Sequence, residues 1–162
     1  MKLRLNREFF LRHLFVAVFL AGLSCWFGYD GFVRYPRTDA RELYVTIEGS
    51  EPPSGFDLEA FKAQKTKSQH GFAFLALLAS AIVSLHLLAV SRLRVSYDDG
   101  GFVFGGKRYA YGDVKSVDDS AWEAKGRSKA ALSDGRTLVL DSWHHVGAKE
   151  LHALIAAERS AR

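Results

Sequence analysis

Two stretches of the chain, residues 13–29 and 71–91, contain no Asp, Glu, Lys or Arg. About 20 apolar residues in a helix cross ~30 Å of hydrocarbon, so each stretch has the length of a membrane span. The second, Gly71 to Ser91, is the stronger of the two, because a buried helix of that length would be long for a soluble chain of this size. The pattern predicts four segments: residues 1–29 with a first membrane helix, an outer loop 30–70, a second membrane helix 71–91, and a folded segment 92–162.

The first helix has competing readings. Phe9, Phe10 and Leu11 extend its charge-free core, and Arg12 can reach back to the headgroups. Trp26, Phe27, Tyr29, Phe32 and Tyr35 cluster at its far end like an aromatic belt. A basic start before an apolar run is also the form of a signal peptide, and Leu20-Ala-Gly-Leu-Ser-Cys25 is similar to a lipoprotein cleavage box. However, Gly22 stands where that box takes a leucine-like residue. A retained helix is the reading taken here.

Small residues recur at four-residue spacing in both helices: Ala17, Ala21 and Cys25 in the first, and Ala76, Ser80 and Ser84 in the second. Such lines let helix backbones approach closely, either with each other or with a partner. Cys25 is read as a packing residue, and His86 as an imidazole near the inner membrane boundary. In the loop, Leu43–Ile47 has strand-like composition. Asp57–Ser68 predicts a short amphipathic helix leading into the second span.

From Arg92 the texture changes to short apolar bursts between turn signals. Arg92–Tyr97 alternates, Asp98-Asp-Gly-Gly101 marks a turn, and Phe102–Phe104 follows. Further bursts fall at Lys107–Tyr111, Val114–Val117, Lys129–Leu132 and Thr137–Leu140. Ala148–Arg159 then reads as an amphipathic helix with Leu151, Leu154 and Ile155 on one face. Antiparallel strands closed by one helix predict a small barrel or bent sheet plugged by that helix, hence an α+β membrane protein. The glycine-rich first hairpin, then Tyr109-Ala-Tyr111-Gly-Asp113-Val114, then the final helix resemble the small bacterial pleckstrin-homology-like (PH-like) domains. In that family an aromatic, an acidic and an aliphatic residue open the middle strand, here Tyr111, Asp113 and Val114. The resemblance covers the last 70 residues or so, and implies a fold and an interaction role rather than a ligand.

Composition adds orientation more than chemistry. The mean hydropathy of −0.05 and net charge of +4 over 162 residues are averages over unlike segments. Residues 1–12 carry a net +3, residues 30–70 a net −1 and residues 92–162 a net +2. Basic residues beside the helix ends place both termini in the cytoplasm of a bacterial inner membrane. Lys107, Arg108, Lys125, Arg127 and Lys129 form a candidate basic edge for lipid or partner contact. A net +2 over that segment is too weak to indicate nucleic acid. Asp141, His144, His145 and His152, with Ser142, come nearest to a metal or nucleophile site. They read instead as a strand-to-helix turn whose Trp143 anchors it in the core. Glycine motifs that cradle phosphate are missing, so no enzyme and no cofactor are expected. The expectation is a non-catalytic interaction module or accessory subunit. Its partners would be the lipid bilayer and another membrane or cytoplasmic protein, or a second copy, with Trp122 and Trp143 as candidate contacts. The alternative is a small oligomeric transport or channel component.

Overall fold

In the computed structural model, which describes residues 1–161, both charge-free stretches lie inside long helices. The chain divides into two units, residues 13–86, and residues 1–12 together with 87–162. Helix α1 spans Arg7–Tyr29, continues through a π-helical turn at Asp30–Arg34, and ends in the short α2 at Tyr35–Arg37. Helix α3 is Ala40–Glu48, and α4 runs unbroken over Leu58–Ser91. The runs Arg7–Arg37 and Leu58–Ser91 are each long and apolar enough to cross a membrane. The core helix of a soluble protein would be covered by its neighbours. Here Phe15, Val18, Phe19, Phe74, Leu75, Ile82 and Leu85 are all exposed.

The 13–86 unit is a helix hairpin with a helical cap. Ser80 Oγ donates to the carbonyl of Ala17 at 2.8 Å, and Ser24 Oγ to that of Ala73 at 2.9 Å. Each bond of this kind contributes ~0.6 kcal/mol between apolar helices. On α4 the covered positions run Ala73, Ala76, Ser80, Val83, alternating steps of three and four as in left-handed helix packing. A strict step of four advances ~40° beyond a full turn each time, so it drifts off that face. Ala17, Ala21, Ala76 and Ser80 therefore sit within the hairpin, while Cys25 and Ser84 are exposed.

The outer segment differs from its predicted form. Leu43–Ile47 is helical, not a strand. The Asp39 side chain accepts from the backbone N–H groups of Arg41 and Glu42, and Gly49 closes the helix in the left-handed conformation. Those two caps outweigh the β-branched composition, and they let Leu43 bury one face. The amphipathic helix at Asp57–Ser68 is the first third of α4 rather than a separate element. Tyr44, Phe56 and Phe61 pack ring against ring at 4.9–5.9 Å, and Lys62 Nζ donates to the Thr38 carbonyl at 2.7 Å.

The other unit is a small α+β domain. Strands β2 (Val95–Asp98), β3 (Gly101–Phe104) and β4 (Lys107–Tyr109) form one antiparallel sheet. Strands β5 (Val114–Ala121), β6 (Arg127–Leu132) and β7 (Thr137–Asp141) form the second. Alternation carries Val95 and Tyr97, Ala130 and Leu132, and Leu138 and Leu140 inward. Phe102 and Tyr109 stack beneath them, and helix α6 (Ala148–Ser160) supplies Ala148, Leu151 and Ile155. Between the sheets, Tyr111–Asp113 makes one 3-10 turn. The Asp113 carboxylate accepts from the Ala110 N–H, and the buried Tyr111 hydroxyl donates to the Asp98 carbonyl at 2.6 Å.

The residues before α1 belong to this domain as well. Strand β1 (Arg4–Leu5) pairs antiparallel with β8 (His145–Val146), and Lys2 bridges Ser96 on β2. Leu3 N donates to the Val95 carbonyl at 2.9 Å, and its side chain is buried in the domain core. In the sequence, residues 1–12 carry only the signal of a basic flank.

Two substitutions test this architecture. Leu3→Ala lowers the stability of the 92–162 domain by about 2–4 kcal/mol, read as a fall in its thermal midpoint in mild detergent. Ser80→Leu costs about 1–3 kcal/mol in a denaturing-detergent titration of the hairpin, whereas Cys25→Leu stays within about 0.5 kcal/mol.

Candidate functional site

A cleft of about 830 Å³ opens on the C-terminal domain, lined by Trp122, Lys125, Ser142, Trp143, Lys149 and His152 among other residues. Its floor is made by a tight insertion between β5 and β6. The chain leaves β5 into a single helical turn, α5 (Trp122–Lys125), which Gly126 ends at φ 64°. Gly126 N bonds back to the Trp122 carbonyl at 2.7 Å, and Gly126 O accepts from Ser142 N at 2.9 Å. The φ of 64° favours glycine at 126, and a Cβ there would also push the Ser142 hydroxyl aside.

Helix α6 forms the opposite wall. Gly147, at φ 92°, turns the chain into the helix, and His152 one turn later faces Trp122. The two rings stack with centroids 3.8 Å apart and planes 19° apart. His152 Nε2 lies 2.9 Å from Asp119 Oδ1. Burial resists ionisation of Asp119, but hydrogen bonding, including that to His152, outweighs it and holds the carboxyl below its ordinary range. Trp122 is half-buried, packed against the domain core and stacked on His152. Trp143 is 56% exposed at the cleft edge. That corrects the expectation that it anchors its turn in the core. The turn is held by Asp141 instead, whose Oδ1 accepts from the backbone of Trp143 at 2.9 Å and of His144 at 3.2 Å.

Of the basic residues singled out in the sequence, only Lys125 lines the cleft. Lys107 and Arg108 lie on β4, in the other sheet, paired with Asp134 at 3.2 Å and Asp98 at 2.7 Å. Asp134 also accepts from the Tyr109 hydroxyl at 2.7 Å and from Arg136 at 3.0 Å, which holds its carboxyl well below the usual range. Arg127 and Lys129 are exposed on β6. Lys149 and His152 complete the cleft wall; the sequence singles out His152 only within the Asp141/His144/His145 group, and Lys149 not at all, although the two share one face of the last helix at i, i+3 spacing. Lys125 and Lys149 make no ion pair among the described residues.

The histidine-rich turn does not converge on one point. His144 packs on Phe9 at 4.4 Å with its Nδ1 3.4 Å from Asp141 Oδ2, while His145 is buried with Nε2 3.3 Å from the Val90 carbonyl. His152 stands apart on Trp122. Among the described residues, no three His, Cys, Asp or Glu side chains group so as to hold a metal ion. The cleft brings together two indole rings, the ammonium groups of Lys125 and Lys149, the Glu123 carboxylate and a hydrogen-bonded imidazole.

Burial pushes the His145 imidazole below its ordinary value, against a smaller opposing pull from the Val90 carbonyl and Asp141. The folded state therefore holds fewer protons at this site than the unfolded state. Its stabilising effect is complete above pH ~6.5 and is lost as the pH falls from there through the folded value. Thermal midpoints recorded from pH 7.5 to 5 decline across that window, and His145→Gln flattens that part of the profile. No family model, curated protein or solved structure matches this chain.

Proposed function

We propose that this protein is a non-catalytic, membrane-anchored interaction module. Its hairpin of α1 and α4 crosses the bilayer and presents a PH-like domain at the cytoplasmic face, where the Trp122 cleft docks another protein. The observation that carries this reading is the pairing of residues 1–5 with β2 and β8. Those residues enter α1, and β2 follows α4, so both inner helix ends emerge from one folded domain. A hairpin with two crossings satisfies that constraint. The exposed apolar surface of both helices supports lipid contact, and Arg7, Arg12, Arg92 and Arg94 near the same two ends support a cytoplasmic location.

Two three-stranded antiparallel sheets, the Tyr111–Asp113 turn before β5 and a closing C-terminal helix support the PH-like assignment. Accessory-subunit behaviour is favoured over the oligomeric-channel alternative, because Ala17 and Ser80 are engaged within a single hairpin. The cleft favours a protein partner with an aromatic or mildly acidic segment, since its two lysines outnumber Glu123 and make no ion pair among the described residues, while Lys107 and Arg108 are neutralised locally.

Purification of the intact chain in mild detergent, followed by identification of bound proteins, tests this. A stoichiometric partner that is lost from a Lys125→Glu/Lys149→Glu variant, with unchanged thermal midpoint, is the expected outcome. Retention of the same partner by that variant removes the cleft from the proposal. Protease digestion of sealed inner-membrane vesicles tests topology. With the cytoplasmic face inward, the C-terminal domain survives until the vesicles are opened.

A further inference from the structure

We infer that His13 and His86, which face each other across the α1–α4 hairpin, form a two-imidazole site for a divalent transition-metal ion of the zinc and copper class. Both residues belong to the 13–86 unit, so the site is separate from the Trp122 cleft and independent of the docking role. They are the only histidines in the two charge-free stretches, residues 13–29 and 71–91. An ionisable side chain within a long apolar helix is costly and marks a functional position with a specific partner. Here the partner of each imidazole is the other one.

The hairpin register brings them together. Ser24 bonds to Ala73 and Ser80 to Ala17, so seven residues back along α1 match seven forward along α4, as antiparallel helices require. Four residues further back on α1 and six further on along α4 stand His13 and His86, in nearly the same register. Ala17, one turn from His13, and Leu87, next to His86, are buried, which sets the pair at the edge of the helix contact. His13 is half-buried there and His86 exposed, so an ion can enter from the side.

Their ring centroids are 6.0 Å apart and their planes 45° apart. A metal ion about 2.0–2.1 Å from an imidazole nitrogen lies ~3.2 Å from that ring's centroid, so one ion spans centroids up to ~6.4 Å apart. A tetrahedral angle at the metal asks for ~5 Å, a closure of about 1 Å that small side-chain rotations supply. Imidazole donors select zinc, copper and nickel over magnesium and calcium, which take oxygen. No third His, Cys, Asp or Glu joins the pair among the described residues, so water fills the remaining positions and the ion exchanges freely. The two serine bonds hold the hairpin further along, and the ion staples its open end.

The metal-stripped, tag-free full chain in mild detergent, titrated with Cu2+ alone, tests the inference. Spin-echo modulation of the copper resonance counts bound imidazoles. Two are expected at the first equivalent, and no more than one in His13→Gln or His86→Gln. Either substitution is expected to weaken copper binding by about tenfold or more, and the double variant to lose little beyond that, because both rings share one ion. An imidazole count unchanged by the two substitutions overturns the inference, as do losses of affinity that simply add. Histidine modification by diethyl pyrocarbonate, mapped by mass spectrometry on the unaltered chain, gives an answer that needs no variant. One equivalent of Zn2+ is expected to protect His13 and His86 together, and continued modification of either overturns the site.

Discussion

The first five residues act as a strand of a domain that is otherwise built from the last seventy. Backbone bonds from Leu3 to Val95 and from Asn6 to His144 close the chain on itself across the whole helical hairpin. That closure sets how both helices leave the domain. Without it the 92–162 segment would hang from α4 by a single strand of chain. With it, the chain entering α1 and the chain leaving α4 belong to one domain, and residues 1–3 cover part of the β2 edge. The loop-closure entropy of joining segments about ninety residues apart is considerable, although it grows only with the logarithm of length.

Much of the C-terminal fold was legible because its strands are short, half-buried and punctuated. Alternation at Val95 and Tyr97, glycine at the turns and the Leu151/Ile155 face of the last helix each follow from one-face burial. Legibility failed where the signal was local but the decision was not. Leu43–Ile47 has β-branched composition, yet an aspartate and a glycine capping the two ends of a nine-residue stretch make it a helix. The strand at residues 4–5 is two residues long and carries no periodicity, so only its partner reveals it. The cleft was half visible. Trp122, Lys125 and Trp143 could be singled out by type, but their convergence with Lys149 and His152 depends on the Gly126 turn meeting Ser142.

The helix hairpin shows how a correct residue class can be given the wrong phase. Small residues do mediate the approach of α1 and α4, and two serines donate across it to backbone carbonyls. Counting in fours placed Cys25 and Ser84 on the same line as Ala17 and Ser80. Two helices in contact over several turns follow a 3.5-residue repeat, so a line of fours leaves the interface after two steps. Cys25 and Ser84 therefore lie among the exposed residues of their helices, with Phe19, Phe74 and Ile82.

Charge has a similar division between what is spent inside the domain and what is left for a partner. Lys107, Arg108 and Arg136 are held by Asp134 and Asp98, within a network that also takes in the Tyr109 hydroxyl. Their field is largely cancelled a few ångströms away, and screening removes most of the remainder. Lys125 and Lys149 sit instead beside two aromatic rings, one of them clamped by the His152–Asp119 pair. A rigid plate next to a mobile cation loses little entropy on binding and gains from desolvating both, which is how aromatic and basic residues come to dominate contact energies. Lys107 and Arg108 are thus tied up by neighbouring carboxylates, whereas Lys125 and Lys149 share the cleft with the single carboxylate of Glu123.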